Sequence, residues 1–430
     1  MNPPSPLSRR HFLSRSSASA AALSFPFVVR GLSGADANNQ DTLKLGLVGC
    51  GGRGTGAAEQ ALSADYNTKL HAVADVFPEK AEMAIDILGK KAVNRVDVPK
   101  ERQFIGLDGY KKLLEICDVV ILATPPGFRP MMLEAAVNAG KHIFCEKPMA
   151  VDVAGYKKAK AAIEKAKEKK LNVVAGFCWR RSKSRKEAIG KVLAGDIGNV
   201  VSISSCYHTG PVKPMQEAAA RKPEWSDIEW QIRNWYNFSW LGGDGLVEQA
   251  VHSIDKLCWA MGDKDPISCV ATGGRQVPSE GGNIYDHFGI AYEFPNNIIC
   301  HLGSRQIKGC YNETSDYIRG EKGVLVIGKG DKPYIDAQER WRFRGEEKNM
   351  YQVEHDEFFD SIRKGTVIND GDWMLHSTLM AIMGRTAAYN GKQVKWDELI
   401  ASNDDLAPEE TFDWHSSFQP TPMPRPGQKA

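Results

Sequence analysis

Gly49, Gly51 and Gly54 stand in G-x-G-x-x-G spacing inside Leu45–Gly56, which reads LGLVGCGGRGTG. An apolar run (Leu45, Leu47, Val48) precedes them and a helical pattern (Ala57, Ala58, Gln60, Ala61, Leu62) follows. That strand–turn–helix setting suits the binding of a dinucleotide pyrophosphate. Gly49 permits the tight turn, Gly51 and Gly52 leave the backbone bare to phosphate, and Gly54 lets helix approach strand. The helix N-terminus adds free N–H groups and positive potential. Arg53 is placed to add a charged hydrogen bond to the same phosphates. A second strand, Leu70–Val76, carries Asp75 near its end, 21 residues after Gly54. An acidic group there accepts from ribose hydroxyls and repels a 2′-phosphate, so the spacing favours NAD(H) over NADP(H).

These residues need a sheet to hold them. Asp118–Ala123 is an unbroken β run of the kind buried on both faces of a parallel sheet. Thr124-Pro125-Pro126 ends it where such a sheet opens its ligand crevice. His142–Cys145 is another strand, closed by Glu146-Lys147-Pro148, with helical stretches between the strands. Alternating strands and helices predict a Rossmann-type doubly wound α/β domain over residues 41–170. From Leu171 strand-like runs follow one another: Asn172–Phe177, Val200–His208, Ile267–Thr272, Phe288–Phe294, Ile298–Gln306 and Gly323–Ile327. They predict an α+β domain over 171–398 with a large, mostly antiparallel sheet. Helices are expected over Lys183–Leu193, Glu248–Met261, Glu354–Arg363 and Trp373–Asn390. Residues 399–430 read as a tail, loose and proline-rich from Pro420.

The chain has 430 residues, 42% hydrophobic and 25% charged, with a net charge of +2, which suits a packed globular protein. No basic block calls for nucleic acid. At the N-terminus, Ser8-Arg9-Arg10-His11-Phe12-Leu13 precedes an Ala/Ser-rich apolar stretch to Val29 and a small-x-small site at Ala35-Asp36-Ala37. Residues 1–37 therefore read as a twin-arginine export signal, directing the protein to the periplasm. The apolar stretch is too short and small-sided for a stable membrane span. The nine cysteines are odd in number and lack C-x-x-C spacing. They are read as buried thiols of a protein folded before export, with no metal site.

With these motifs in place, the chain resembles the glucose–fructose oxidoreductase / inositol dehydrogenase (Gfo/Idh/MocA) family over roughly residues 43–395. The marks are the glycine loop, Ala123-Thr124-Pro125, Glu146-Lys147-Pro148, Gly195-Asp-Ile-Gly198, and Gly242-Gly243-Asp244 followed by Glu248-x-x-x-His252-x-x-Asp255. The resemblance implies catalytic roles for Lys147 and His252, with Glu248 tuning the histidine. Hydride transfer from a carbinol requires a base for the hydroxyl proton and a cation that polarises its oxygen. Glu248 and His252, four residues apart on one helix, would face the same way. The resemblance also implies that Thr124, Pro125, Glu146, Lys147, Trp179 and Arg180 border the cofactor. Asp255, Tyr207, Trp235 and Arg305 are weaker substrate candidates, Trp235 because it sits in the aromatic stretch Trp225–Trp240. Glu248, where relatives often carry Asp, and Arg129, where they often carry His, are departures from the pattern.

The expected activity is NAD-dependent hydride transfer on a sugar, polyol or glycoside, by an exported homo-dimer or homo-tetramer. Free NAD is scarce outside the cytoplasm, so the cofactor is expected to be tightly held and recycled. Two alternatives remain at this level: an NAD-dependent glycoside hydrolase using transient oxidation and elimination, and a non-catalytic cofactor- or sugar-binding module.

Overall fold

Strand β1 (Leu43–Val48) is apolar at every position but Lys44 and Gly46, and only Lys44 is exposed. It forms the middle of a sheet with β2 (Thr68–Asp75), β3 (Gln103–Ile105), β4 (Val119–Leu122), β5 (His142–Cys145) and β6 (Val173–Ala175). The order is β3-β2-β1-β4-β5-β6, and every pairing is parallel. β4 is buried along its length, as its unbroken Val-Val-Ile-Leu run requires of a strand covered on both faces. The strand order reverses between β1 and β4, which opens a crevice at the carboxyl ends of the strands. The protein is described here from a computed structural model covering residues 41–277, 281–329, 332–407, 413–416 and 419–427. The expected export signal, residues 1–37, lies outside the described residues.

The second sheet contains β7 (Val200–Thr209), β8 (Ser268–Gly274), β9 (His287–Phe294), β10 (Ile298–Gln306), β11 (Glu313–Gly320), β12 (Gly323–Ile327), β13 (Tyr334–Ala337), β14 (Trp341–Arg342) and β15 (Val394–Lys395). Its order is β14-β13-β12-β11-β7-β10-β9-β8-β15. All pairings are antiparallel except β7 with β10. One face packs on the helices Val251–Ala260 and Gly371–Asn390, burying Ile203, Ile290, Tyr292 and Leu302. The architecture is the expected one: a Rossmann domain followed by a mostly antiparallel domain.

Four features depart from the sequence reading. Val173–Ala175, expected to open the second sheet, instead closes the first as β6, beside β5. The helix Met350–Lys364 returns to the first domain and packs on helix Gly52–Ala64, placing Phe358 and Phe359 in the core with Leu45 and Leu47. A boundary at 171 therefore cuts both sheet and core. The tail is docked: Asn283 Nδ2 donates to the Thr421 carbonyl at 2.9 Å, and the Tyr285 hydroxyl to that of Pro424 at 2.8 Å. None of the nine cysteines is in a disulfide; seven are buried, Cys206 is half-buried, and Cys310 is exposed, contrary to the reading of all nine as buried. No helix among the described residues is long and apolar enough to cross a membrane.

Candidate active site

The carboxyl ends of β1, β2, β4 and β5 open onto a cavity of about 2130 Å³, walled on its other side by the second domain. The glycine loop forms its floor. Gly49 has φ +92°, and a Cβ there would lie 2.7 Å from the Ala123 carbonyl carbon. A Cβ on Gly54 would come within 1.9 Å of the Gly49 oxygen, so only glycine allows the turn to close on the helix. Gly51 and Gly52 differ: a Cβ on either meets nothing within 4 Å. Their backbone is bare toward the cavity, and no side chain caps helix Gly52–Ala64.

Asp75 ends β2 at the same cavity. Its carboxylate accepts from the backbone N–H of Cys50 at 2.7 Å and of Phe77 at 2.9 Å. Burial raises its pKa against the pull of these amides. Thr124 and Pro125, just past β4, line the opposite side. An uncapped helix end, glycines with open space above them, and a strand-end carboxylate fit a dinucleotide. Gly51 and Gly52 would take the pyrophosphate and Asp75 the adenosine ribose.

Arg53 is less available than expected. Its Nε donates to Glu146 at 2.5 Å, its Nη2 to Glu354 at 3.0 Å and its Nη1 to Gln60 at 3.1 Å. It ties the glycine loop to the end of β5 and to helix Met350–Lys364, with both carboxylates buried. Its charge is thus spent on protein carboxylates. Glu146 lies over Gly176, where a Cβ would be 2.7 Å from its carboxyl group.

Lys147 points into the cavity, and its bond to Pro148 is cis. Its Nζ donates to Glu248 Oε1 at 2.8 Å and also to the Glu248 backbone carbonyl. Both side chains are less than a tenth exposed. Arg129 is buried behind this turn, its Nη1 donating to the Pro148 carbonyl at 2.7 Å. The departure at this position is therefore a support for the Lys147–Pro148 backbone.

The expected helix Glu248–Met261 begins differently. Leu246–Ala250 is a π-turn, and the α-helix runs Val251–Ala260. Gly243 and Asp244 precede it with φ +80° and +98°. Asp244 is fully buried and accepts from Tyr285 N at 2.9 Å and from the Tyr389 hydroxyl. Glu248 and His252 both line the cavity, but their contacts diverge. Glu248 Oε2 accepts from Gln249 Nε2 at 2.6 Å, and Gln249 Oε1 accepts from the Tyr207 hydroxyl at 2.8 Å. The partner of Glu248 is thus Lys147 rather than His252, a correction to the expected tuning.

The His252 ring lies 5.1 Å from that of Trp179 and 6.1 Å from that of Phe177. Its Nδ1 is buried without a partner among the described residues. Burial, reinforced by the charges of Lys147 and Lys256, holds its pKa well below the ordinary value, so the imidazole is neutral. Tyr207 is pushed up to about 12 by burial and by Glu248, and keeps its proton.

Trp179, Tyr207 and Trp235 line the cavity; Arg180, Asp255 and Arg305 do not. Cys178–Arg181 is a 3₁₀ turn, in which neighbouring side chains diverge by about 120°. Trp179 therefore faces the cavity, while Arg180 is buried in ion pairs with Asp255 at 2.9 Å and Asp263 at 2.6 Å, stacked 4.2 Å from the Trp373 ring. Asp255 spends its carboxylate on Arg180 and on Ser377, whose hydroxyl donates at 2.8 Å. Arg305 follows buried Ser304 on β10, so alternation turns it to the outer face, where it donates to the Tyr311 carbonyl. Gln249, Tyr236 and Lys213 also line the cavity and were not singled out. Tyr236 belongs to the aromatic stretch, while Gln249 had only its place beside Glu248 as a signal.

Comparison with known proteins agrees with this fold. Residues 43–177 match the description "Oxidoreductase family, NAD-binding Rossmann fold", and residues 189–395 match "Oxidoreductase family, C-terminal alpha/beta domain". The chain is 25% identical over 247 residues to an inositol 2-dehydrogenase of Rhizobium meliloti, covering 57% of this chain and 63% of that protein. It is 29% identical over 164 residues to a glycosyl hydrolase family 109 protein of Shewanella pealeana, covering 34% of this chain and 35% of that protein. An aldose-aldose oxidoreductase of Caulobacter crescentus, solved with glycerol, shares the fold with TM-score 0.64 at 20% identity, covering 82% of this chain and 99% of that one. The two matched stretches, read with the cavity, place the protein in the Gfo/Idh/MocA family of NAD-binding oxidoreductases.

Proposed function

We propose that the protein transfers hydride between a ring carbinol carbon of a sugar, polyol or glycoside and NAD held over the glycine loop. The observation that carries this reading is the convergence of Lys147, Glu248 and a neutral His252 on the cavity bordered by that loop. NAD, when bound, supplies the hydride acceptor. Lys147 donates to the substrate hydroxyl oxygen and stabilises negative charge developing there. His252, neutral and next to that cation, accepts the hydroxyl proton. Tyr207, Gln249 and Glu248 form a hydrogen-bonded chain that fixes the ammonium group. Trp179 and Trp235 offer flat apolar faces to ring C–H groups. Support also comes from the relatives, among them an inositol 2-dehydrogenase.

The reading extends to the cell and the assembly. The twin-arginine pattern supports export to the periplasm, and a protein working there is best served by a cofactor loaded beforehand and recycled in place. The outer face of the second sheet carries exposed Val201 and Val270 and a shallow hollow of about 420 Å³ along β8, β9 and β10. This is the surface through which a homo-dimer or homo-tetramer would form.

The test is to purify the protein without added nucleotide, analyse the denatured extract for NAD(H), and assay sugars and polyols deuterated at single carbinol carbons. Deuterium arriving on the nicotinamide, lost in Lys147→Ala and His252→Ala, is the expected result. Release of an aglycone with solvent deuterium at the neighbouring carbon would replace the redox reading by the hydrolytic one. Unchanged turnover in both variants would refute the assigned roles.

A further inference from the structure

The side of the cavity beyond Asp75 is closed by residues that the glycine-loop reading does not use. Phe77 follows Asp75 by two positions and donates its backbone N–H to that carboxylate. Its ring makes an edge contact with Trp414, with centroids 5.7 Å apart and planes at 74°. Trp414 belongs to the tail, beyond the family-matched stretch that ends at 395. Its carbonyl accepts from the Ser226 hydroxyl at 2.5 Å, which fastens it to the start of helix Asp227–Arg233.

The same helix ends in Arg233. This guanidinium lies 4.1 Å from the Phe77 ring and 4.4 Å from that of Trp225. Glu229 at 2.7 Å and Glu79 at 3.1 Å fix it in that position. Three distant pieces of chain thus converge: the turn after β2, the aromatic stretch of the second domain, and the tail. Phe77, Arg233 and Trp414 all line the cavity that contains Asp75 and the glycine loop.

An adenosine whose ribose were bound at Asp75 would bring its base to this side of the cavity. Flat rings and a planar guanidinium suit the faces of a purine. We propose that Trp414, fastened by Phe77 and Ser226, is a cofactor-binding residue that walls the adenosine half of the dinucleotide and slows its escape. The inference rests on the NAD reading above and adds where retention of the cofactor originates. Release then requires the Phe77–Trp414 contact to open, so the effect falls on the dissociation rate.

The experiment compares NADH with reduced nicotinamide mononucleotide, which lacks the adenosine half, using the full chain stripped of nucleotide. In Trp414→Ala the NADH Kd is expected to rise about tenfold through faster dissociation, with binding of the mononucleotide unchanged. Trp414→Phe, which keeps a ring, is expected to recover most of the NADH affinity. Native-like NADH dissociation in Trp414→Ala overturns the proposal, as does equal weakening of both nucleotides, which marks a general structural role. A native protein that binds neither nucleotide overturns the cofactor reading and the clasp with it.

Discussion

Lys147→Met separates the structural from the catalytic role of the central ion pair. Lys147 and Glu248 are 2.8 Å apart, with 8% and 9% of their side chains exposed. Methionine keeps much of the lysine's bulk but leaves the Glu248 carboxylate without its cation. Breaking a buried pair from one side costs about 3–5 kcal/mol, because the remaining charge stays desolvated. Glu248 borders a cavity and keeps its bond from Gln249, so about 3 kcal/mol is expected here. At roughly 1 °C per kcal/mol for a chain of this size, the Tm falls by about 3 °C. The double variant Lys147→Met/Glu248→Gln removes the stranded charge and is expected to recover about 2 kcal/mol of that loss. Turnover does not recover: without the ammonium group kcat falls by about 10²–10³ in both variants. Thermal melts and steady-state rates on native, single and double variants give the full cycle. Equal instability of single and double variants would refute the stranded-charge argument. Turnover returning in the double variant would refute the role given to Lys147.

Other consequences follow from the same geometry. Gly51→Ala is expected to leave Tm within about 1 °C, since its Cβ meets nothing within 4 Å, while weakening NADH binding about tenfold or more, read by calorimetry. Gly54→Ala drives a Cβ to 1.9 Å from the Gly49 oxygen and is expected to cost about 3 kcal/mol even without nucleotide, read by denaturant melts. His252 is held neutral by burial, Lys147 and Lys256, whereas in the unfolded chain it takes up a proton below about pH 6.5. Its contribution to stability is therefore lost as pH falls through that value, and its ring proton resonance is expected not to titrate between about pH 6 and pH 8. Asp244 runs the other way: burial raises its pKa to about 6, so the folded state holds a proton that the unfolded chain releases near pH 4. Stability is expected to fall by about 3 kcal/mol as pH rises from about 4 to 6, and Asp244→Asn to remove that part of the slope in pH-dependent melts.

Much of the first domain is written in short-range terms. The glycines report local steric needs: a Cβ on Gly49 would lie 2.7 Å from the Ala123 carbonyl carbon, and one on Gly54 1.9 Å from the Gly49 oxygen. The apolar run Val119–Leu122 reports burial on both faces, and the position of Asp75 at a strand end follows from its spacing to the loop. Lys147 at the end of β5 was legible for the same reason, as was the architecture of two unlike sheets. Strands as short as Trp341–Arg342 and Val394–Lys395 were not, because two residues carry no period.

What escaped the sequence depends on contacts between distant segments. Glu248 finds Lys147, 101 residues away, because a π-turn presents both its carboxylate and its carbonyl to that ammonium. Arg53, at the edge of the cavity, is also held by Glu354, 301 residues on, since the chain returns as a helix against the first domain. Trp179 and Arg180 are neighbours in sequence, yet a single 3₁₀ turn sends one to the cavity and the other into a buried ion pair. Trp414 lies in a tail without a strand or helix period, and its contact with Phe77 arises only when tail and crevice fold together. Residue types and local spacing supplied the loop, the strands and the candidate reactive groups. Which groups touch was decided by the tertiary structure, because an ion pair or ring contact is set by distance in space, and sequence separation does not encode it.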